Sequence, residues 1–177
     1  MLKFILKPFW SGQKEKSISA NGDIAFTVCR VRRPDGVDGL VDVVTLLPPE
    51  VFSKWGVANE TIVGFCTKLV AEGTHIDAAT FRPNKAFVDL LHDVIKTNAP
   101  EVPEFQTAAR RQDAGWACIL DARTRTPAGE VPAHDIIGSF EVRDGAIVPN
   151  SYSANRNHLL FSSDGLFKLP STSLQEA

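Results

Sequence analysis

The sequence is short of the residues that announce a chemistry. Its three cysteines, Cys29, Cys66 and Cys118, are odd in number, far apart and never in CxxC spacing, which argues against a disulfide framework or a thiolate metal site. Each sits among apolar neighbours, as buried free thiols do, so a reducing compartment is expected. No HExxH, GxSxG or P-loop pattern occurs, which leaves zinc-hydrolase, serine-elbow and nucleotide-cradle chemistries without sequence support. The nearest glycine-rich stretch, PDGVDG, is acidic and lacks a lysine, and it reads as a hairpin loop. An excess of one charge is missing too. Nineteen Lys and Arg against 21 Asp and Glu leave a formal charge of -2, so no global field draws the chain to nucleic acid or an anionic membrane. Long apolar runs are also absent: MLKFILKPFW is broken by Lys7 and Pro8, well short of the roughly 20 residues that span a bilayer. It reads as part of an N-terminal edge segment, 1–22, with no targeting signal and no membrane span.

What is present is enough for a core. The 177 residues are 44% hydrophobic, with eleven Phe and three Trp, a size and composition that give one domain its own interior without staples. In DIAFTVCRVRR, Ile24, Phe26 and Val28 alternate with Ala25, Thr27 and Cys29, the period of a strand. LVDVVTLL resumes that character after PDGVDG, which predicts a hairpin. PPEVFSKWG reads as a short helix that starts on prolines, stops at Gly56 and buries Val51, Phe52 and Trp55. NETIVGFCTKLVAEG reads as a second helix: Asn59 is placed to cap it, and Ile62, Phe65, Cys66, Leu69 and Val70 follow helical spacing. The strongest helical pattern is PNKAFVDLLHDVIKTN, with Phe87, Leu90, Leu91, Val94 and Ile95 in one stripe. A weaker one runs through PEFQTAARRQDAG.

From Trp116 the texture changes to strands. WACILD is a continuous apolar run expected to be well covered, with Trp116 buried. IIGSFEV and AIVPN flank an Asp144-Gly145 turn that would set Val142 opposite Ile147. HLLF and LFKL flank SSDG, with Gly165 free to take positive φ. The tail, 171–177, reads as frayed. Strand and helix blocks are segregated, so the fold class is α+β: a single domain, 1–177, whose N-terminal hairpin and C-terminal strands form a mainly antiparallel sheet with three to four helices packed on one face.

Candidate sites must be weighed against plainer roles. His75 and Asp77 could give two metal ligands, but no dense ligand set completes them, so neither metal nor cofactor is expected. His92 falls beside the charged face of its helix and reads as solvated. His134 and Asp135 close a loop before a strand. Arg110, Arg111, Arg123 and Arg125 could converge as an anion patch for a carboxylate or phosphate. The densest polar cluster is NSYSANRNH. There Tyr152, Asn155, Arg156, Asn157 and His158 either tie a loop to itself through side-chain to backbone bonds or line a pocket in which His158 moves a proton. The expectation is a cytoplasmic binding or interaction domain for an unknown small molecule or protein, self-associating through a sheet edge or the apolar N-terminus to give a homodimer. The alternative is a hydrolase or transferase acting on a small molecule, with His158 as base and an arginine as anion clamp.

Overall fold

A computed structural model describes residues 12–18, 26–32, 39–56, 58–70, 76–123 and 131–170, and among these it shows two larger antiparallel sheets, a separate two-stranded ribbon and three α-helices. In chain order the elements begin β1 (Gly12–Ile18), β2 (Phe26–Arg32), β3 (Leu40–Thr45), α1 (Pro49–Trp55), β4 (Ile62–Cys66) and β5 (Phe81–Pro83). They continue with α2 (Lys85–Asn98), α3 (Pro103–Gln112), β6 (Gly115–Leu120), β7 (Ile136–Arg143), β8 (Ala146–Ile147), β9 (Ser153–Ala154), β10 (Phe161–Ser162) and β11 (Gly165–Leu166). The class is α+β, as the segregated blocks imply. Among the described residues no helix is long and apolar enough to cross a membrane. Within this small domain the residues group into two compact units, Met1–Asp89 with Phe161–Leu166, and Leu90–Leu160 with Phe167–Ala177.

The first unit holds a five-stranded sheet in the order β1-β2-β3-β4-β5. The expected hairpin is there, with β2 and β3 in register from Thr27 opposite Thr45 to Arg32 opposite Leu40. Cys29, Val31 and Val43 pack with Phe52 of α1 and Ile62 of β4. Asp42, also buried, accepts from Arg30 Nε and Nη2 at 2.8 and 2.9 Å and from the Val70 amide at 2.6 Å. Helix α1 stops as expected at Gly56, whose φ is 69° and whose N–H donates to the Phe52 carbonyl. Trp55 departs from expectation: it is 69% exposed, with the Lys54 ammonium over its ring. The ribbon of β10 and β11 places the Phe161 ring 5.2 Å from Phe81, and Gly165 takes a φ of 98°.

The largest departure is β4, which the helical spacing of NETIVGFCTKLVAEG had assigned to a helix. Only Asn59–Thr61 turn, as a single 3-10 turn, and Ile62–Cys66 is a strand between β3 and β5. Ile62, Val63 and Gly64 are poor helix formers, and a run buried on both faces shows no period of two to betray it. Gly64 is needed there, because a side chain would run into the Phe81 ring and lie 2.5 Å from the Arg82 carbonyl oxygen. By taking the free edge of β3, β4 also fixes the sheet layout. The N-terminal hairpin and the C-terminal strands lie in separate sheets, not in one. Strand β1, hidden by its polar sequence, completes the first sheet at the other edge.

In the second unit β6, β7 and β8 form a meander, and β9 pairs with β7. Asp144 and Gly145, at φ 52° and 69°, make the tight turn whose two positive φ values match strand twist, and Val142 does face Ile147. Helix α3 packs Phe105 and Ala109 with Ala117, Val142 and Ile147. In α2, Leu91 and Ile95 are buried, but Leu90 and Val94 are exposed, so the stripe is narrower than its spacing suggests. Strand β6 is likewise less covered than its composition implies. Ala117 is buried while Trp116, at 54%, and Leu120 are exposed on the alternate positions with Cys118, so the expectation of a buried Trp116 and a buried third thiol is corrected. The apolar residues simply occupy both faces of a strand whose second face is open. The N-terminal residues 1–11, and the tail 171–177, lie outside the described residues.

Candidate functional site

Residues 150–158 are held along the β7 strand by their own polar groups. The chain turns at Asn150, φ 60°. The Ser151 hydroxyl donates to the Val148 carbonyl at 2.7 Å and accepts from the Glu141 amide at 3.0 Å. Asn155 does most of the tying: its Nδ2 donates at 2.6 Å to both the Ala133 and Ile136 carbonyls, its Oδ1 accepts the Asn157 N–H, and its own N–H bonds the Ile137 carbonyl. Asn157 contributes through its backbone, and Arg156 is exposed.

His158 points the other way, into a buried ion network. Its Nε2 donates to Asp121 Oδ2 at 3.0 Å, and the imidazole side chain is 3% exposed. The Arg123 guanidinium lies 3.0 Å from the same Asp121 oxygen and 3.4 Å from Asp135 Oδ1, and it donates to the Leu159 carbonyl. The remaining Asp121 oxygen accepts the amides of Arg123 and Lys168. Burial by itself would raise the Asp121 pKa. The hydrogen bond from His158, the Lys168 and Arg123 amides and the Arg123 charge together outweigh it and hold the carboxyl below its ordinary value.

Tyr152 takes a third direction. Its ring lies 5.0 Å from Phe140, and its hydroxyl is 2.7 Å from His92 Nδ1. His92 is therefore half-buried and paired, where the sequence suggested solvation. Burial pushes the Tyr152 phenol up to about 12, so it stays neutral at physiological pH. The ring rests on Gly138, where a Cβ would lie 2.5 Å from the hydroxyl oxygen and 2.8 Å from ring carbons. Gly138→Ala is expected to displace Tyr152 and cost about 1–2 kcal/mol. Urea unfolding reads the loss, and a shift of the His92 ring signals reports the parted hydrogen bond.

The four arginines are not one patch. Arg123 is consumed in the buried network, Arg111 is exposed, and Arg110 stands at a cavity; Arg125 and His75 lie outside the described residues. Asp77, paired with His75 in the sequence reading, accepts the Ala79 amide at the start of a 3-10 turn.

That cavity, of about 630 Å³, is formed within the second unit by the ends of α2 and α3 and by the β7–β8 turn with the residues after it. Ala109 and Phe140, both buried, and half-buried Ile147 give it an apolar floor; Lys96, Glu101, Gln106, Arg110 and Asn150 supply polar groups at its rim. Gln106 is fixed by its Nε2 bond to the Pro100 carbonyl at 2.8 Å. Sequence reasoning had picked out Arg110 alone among these. The rest come from stretches some 40 residues apart and carry no local motif.

Comparison of the chain with protein-family models, with curated proteins and with solved structures finds no match.

Proposed function

We propose that this protein is a binding domain for a small molecule, held in the cavity between the ends of α2 and α3 and the β7–β8 turn. The cavity carries the reading. Its volume falls in the range that small-molecule sites occupy, and it joins an apolar floor to a few convergent polar groups, the usual composition of such sites. The rival reading, a hydrolase or transferase with His158 as base, draws less support. A general base must come within hydrogen-bond reach of its substrate, whereas His158 is buried with its Nε2 committed to Asp121.

The test is thermal stabilisation across a library of small metabolites. A ligand present at 100 times its Kd stabilises the native state by about 2.7 kcal/mol, which raises the Tm of a domain this size by several degrees. Ala146 is exposed and lines the cavity, so Ala146→Trp can fill the mouth without overpacking the core. Ligands that raise the wild-type Tm are expected to leave the Tm of Ala146→Trp unchanged. A ligand that stabilises both proteins equally binds elsewhere and contradicts the assignment.

A further inference from the structure

The rim of the cavity carries three charged side chains, Lys96, Glu101 and Arg110, two cations against one carboxylate. Lys96 belongs to the last turn of α2 and Arg110 to the last turn of α3. Both are exposed, and among the described residues neither joins an ion pair. Arg110 reaches only the Gln106 side-chain oxygen, at 3.5 Å, the outer limit of a hydrogen bond. Their charges therefore remain available to a ligand, in contrast to Arg30 and Arg123, which pair with buried aspartates. Two helix C-termini converge here, and their dipoles disfavour an anion, but that effect is weak and screened by salt. A charge-assisted bond from a guanidinium to a carboxylate or phosphate is stronger and directional.

We infer that the cavity is selective for an organic anion: a carboxylate or phosphate head held by Lys96 and Arg110, joined to an apolar body that lies on Phe140 and Ile147. Glu101 repels a second anionic group elsewhere on the ligand, which sets the preference toward a single anionic head on an uncharged body. This inference rests on the binding assignment above and adds the ligand class to it.

Three probes with the same phenylethyl body test it: 3-phenylpropionate, 2-phenylethyl phosphate and the neutral 3-phenylpropanol, each titrated into the ¹⁵N-labelled full chain. Either anion is expected to shift the amides of residues 145–148 and 150 and to bind at least tenfold more tightly than the alcohol. A response to only one of them identifies the head group as carboxylate or phosphate. Affinity for the anions should fall as salt rises. The double variant Lys96→Gln/Arg110→Gln, at two exposed positions where folding is little affected, should lose at least tenfold in anion affinity while its affinity for the alcohol stays level. If the alcohol binds as well as the anions and the double variant is indifferent, the charge selectivity is overturned while small-molecule binding stands. Should no probe move these amides, the anion class is overturned, and the library screen with Ala146→Trp decides separately whether the cavity binds anything.

Discussion

Asp121→Ala is expected to lose about 3–5 kcal/mol of stability, the cost of removing one partner from a buried charge network, read as a fall in the urea midpoint at unchanged slope. The side chain accepts from His158, from the Arg123 guanidinium and from two backbone amides. Its loss takes that acceptor away from all four inside the protein, while the Arg123 guanidinium keeps Asp135 and the Leu159 carbonyl. The pH dependence follows from the direction of the shift. A carboxyl whose folded pKa lies below its unfolded value contributes stability that is fully present above the unfolded value, about 3.9, and is lost as pH falls through the folded one. The stability gap between wild type and Asp121→Asn should therefore be level from pH 7 to 5 and close only below about pH 4. A gap that closes between pH 7 and 5 would contradict the assignment of this dependence to Asp121.

Asn155→Ala is expected to cost about 2–3 kcal/mol, since it removes three side-chain hydrogen bonds and leaves the Ala133 and Ile136 carbonyls without a donor they now have. Asn157→Ala, two residues on, should stay within about 0.5 kcal/mol, because Asn157 is exposed and takes part through its backbone. The contrast is the signature of a tied connection. Equal losses at the two positions, or none at either, would contradict it.

Much of the architecture could be read from local pattern. Hairpins marked by alternation and turn chemistry came out in register, as with Val142 opposite Ile147 across Asp144-Gly145, because the turn itself fixes pairing. The helix at Phe87 was legible from its strong stripe, and the one through Arg110 from a weaker one. The error at Ile62–Cys66 has a physical cause: a short apolar run can satisfy helical spacing and still be a fully buried strand, and only its neighbours β3 and β5 decide. Trp55, Trp116 and Cys118 misled for a related reason, since apolar character does not say which face of an element is covered.

Residues 150–158 were legible as a dense polar cluster but not in their division of labour. Asn155 turned to the backbone, Tyr152 to His92, and His158 to an aspartate 37 residues away in sequence. Asp121 itself was visible only as an acid closing an apolar run, a position that makes a buried carboxylate with partners worth seeking. The cavity had no sequence signature at all. Its rim is assembled from two helix ends and a turn, each of which reads alone as a solvated surface.

The most direct test of this division between scaffold and site is the Kd of one ligand, the tightest-binding of those that stabilise the wild type, measured by calorimetry for Asn155→Ala and Ala146→Trp under conditions where both are folded. Asn155→Ala is expected to bind with the wild-type Kd despite its lower stability, and Ala146→Trp to lose binding by tenfold or more at near wild-type stability. The opposite pattern, binding lost with Asn155 and kept with the cavity filled, would place the ligand in residues 150–158 and contradict the account.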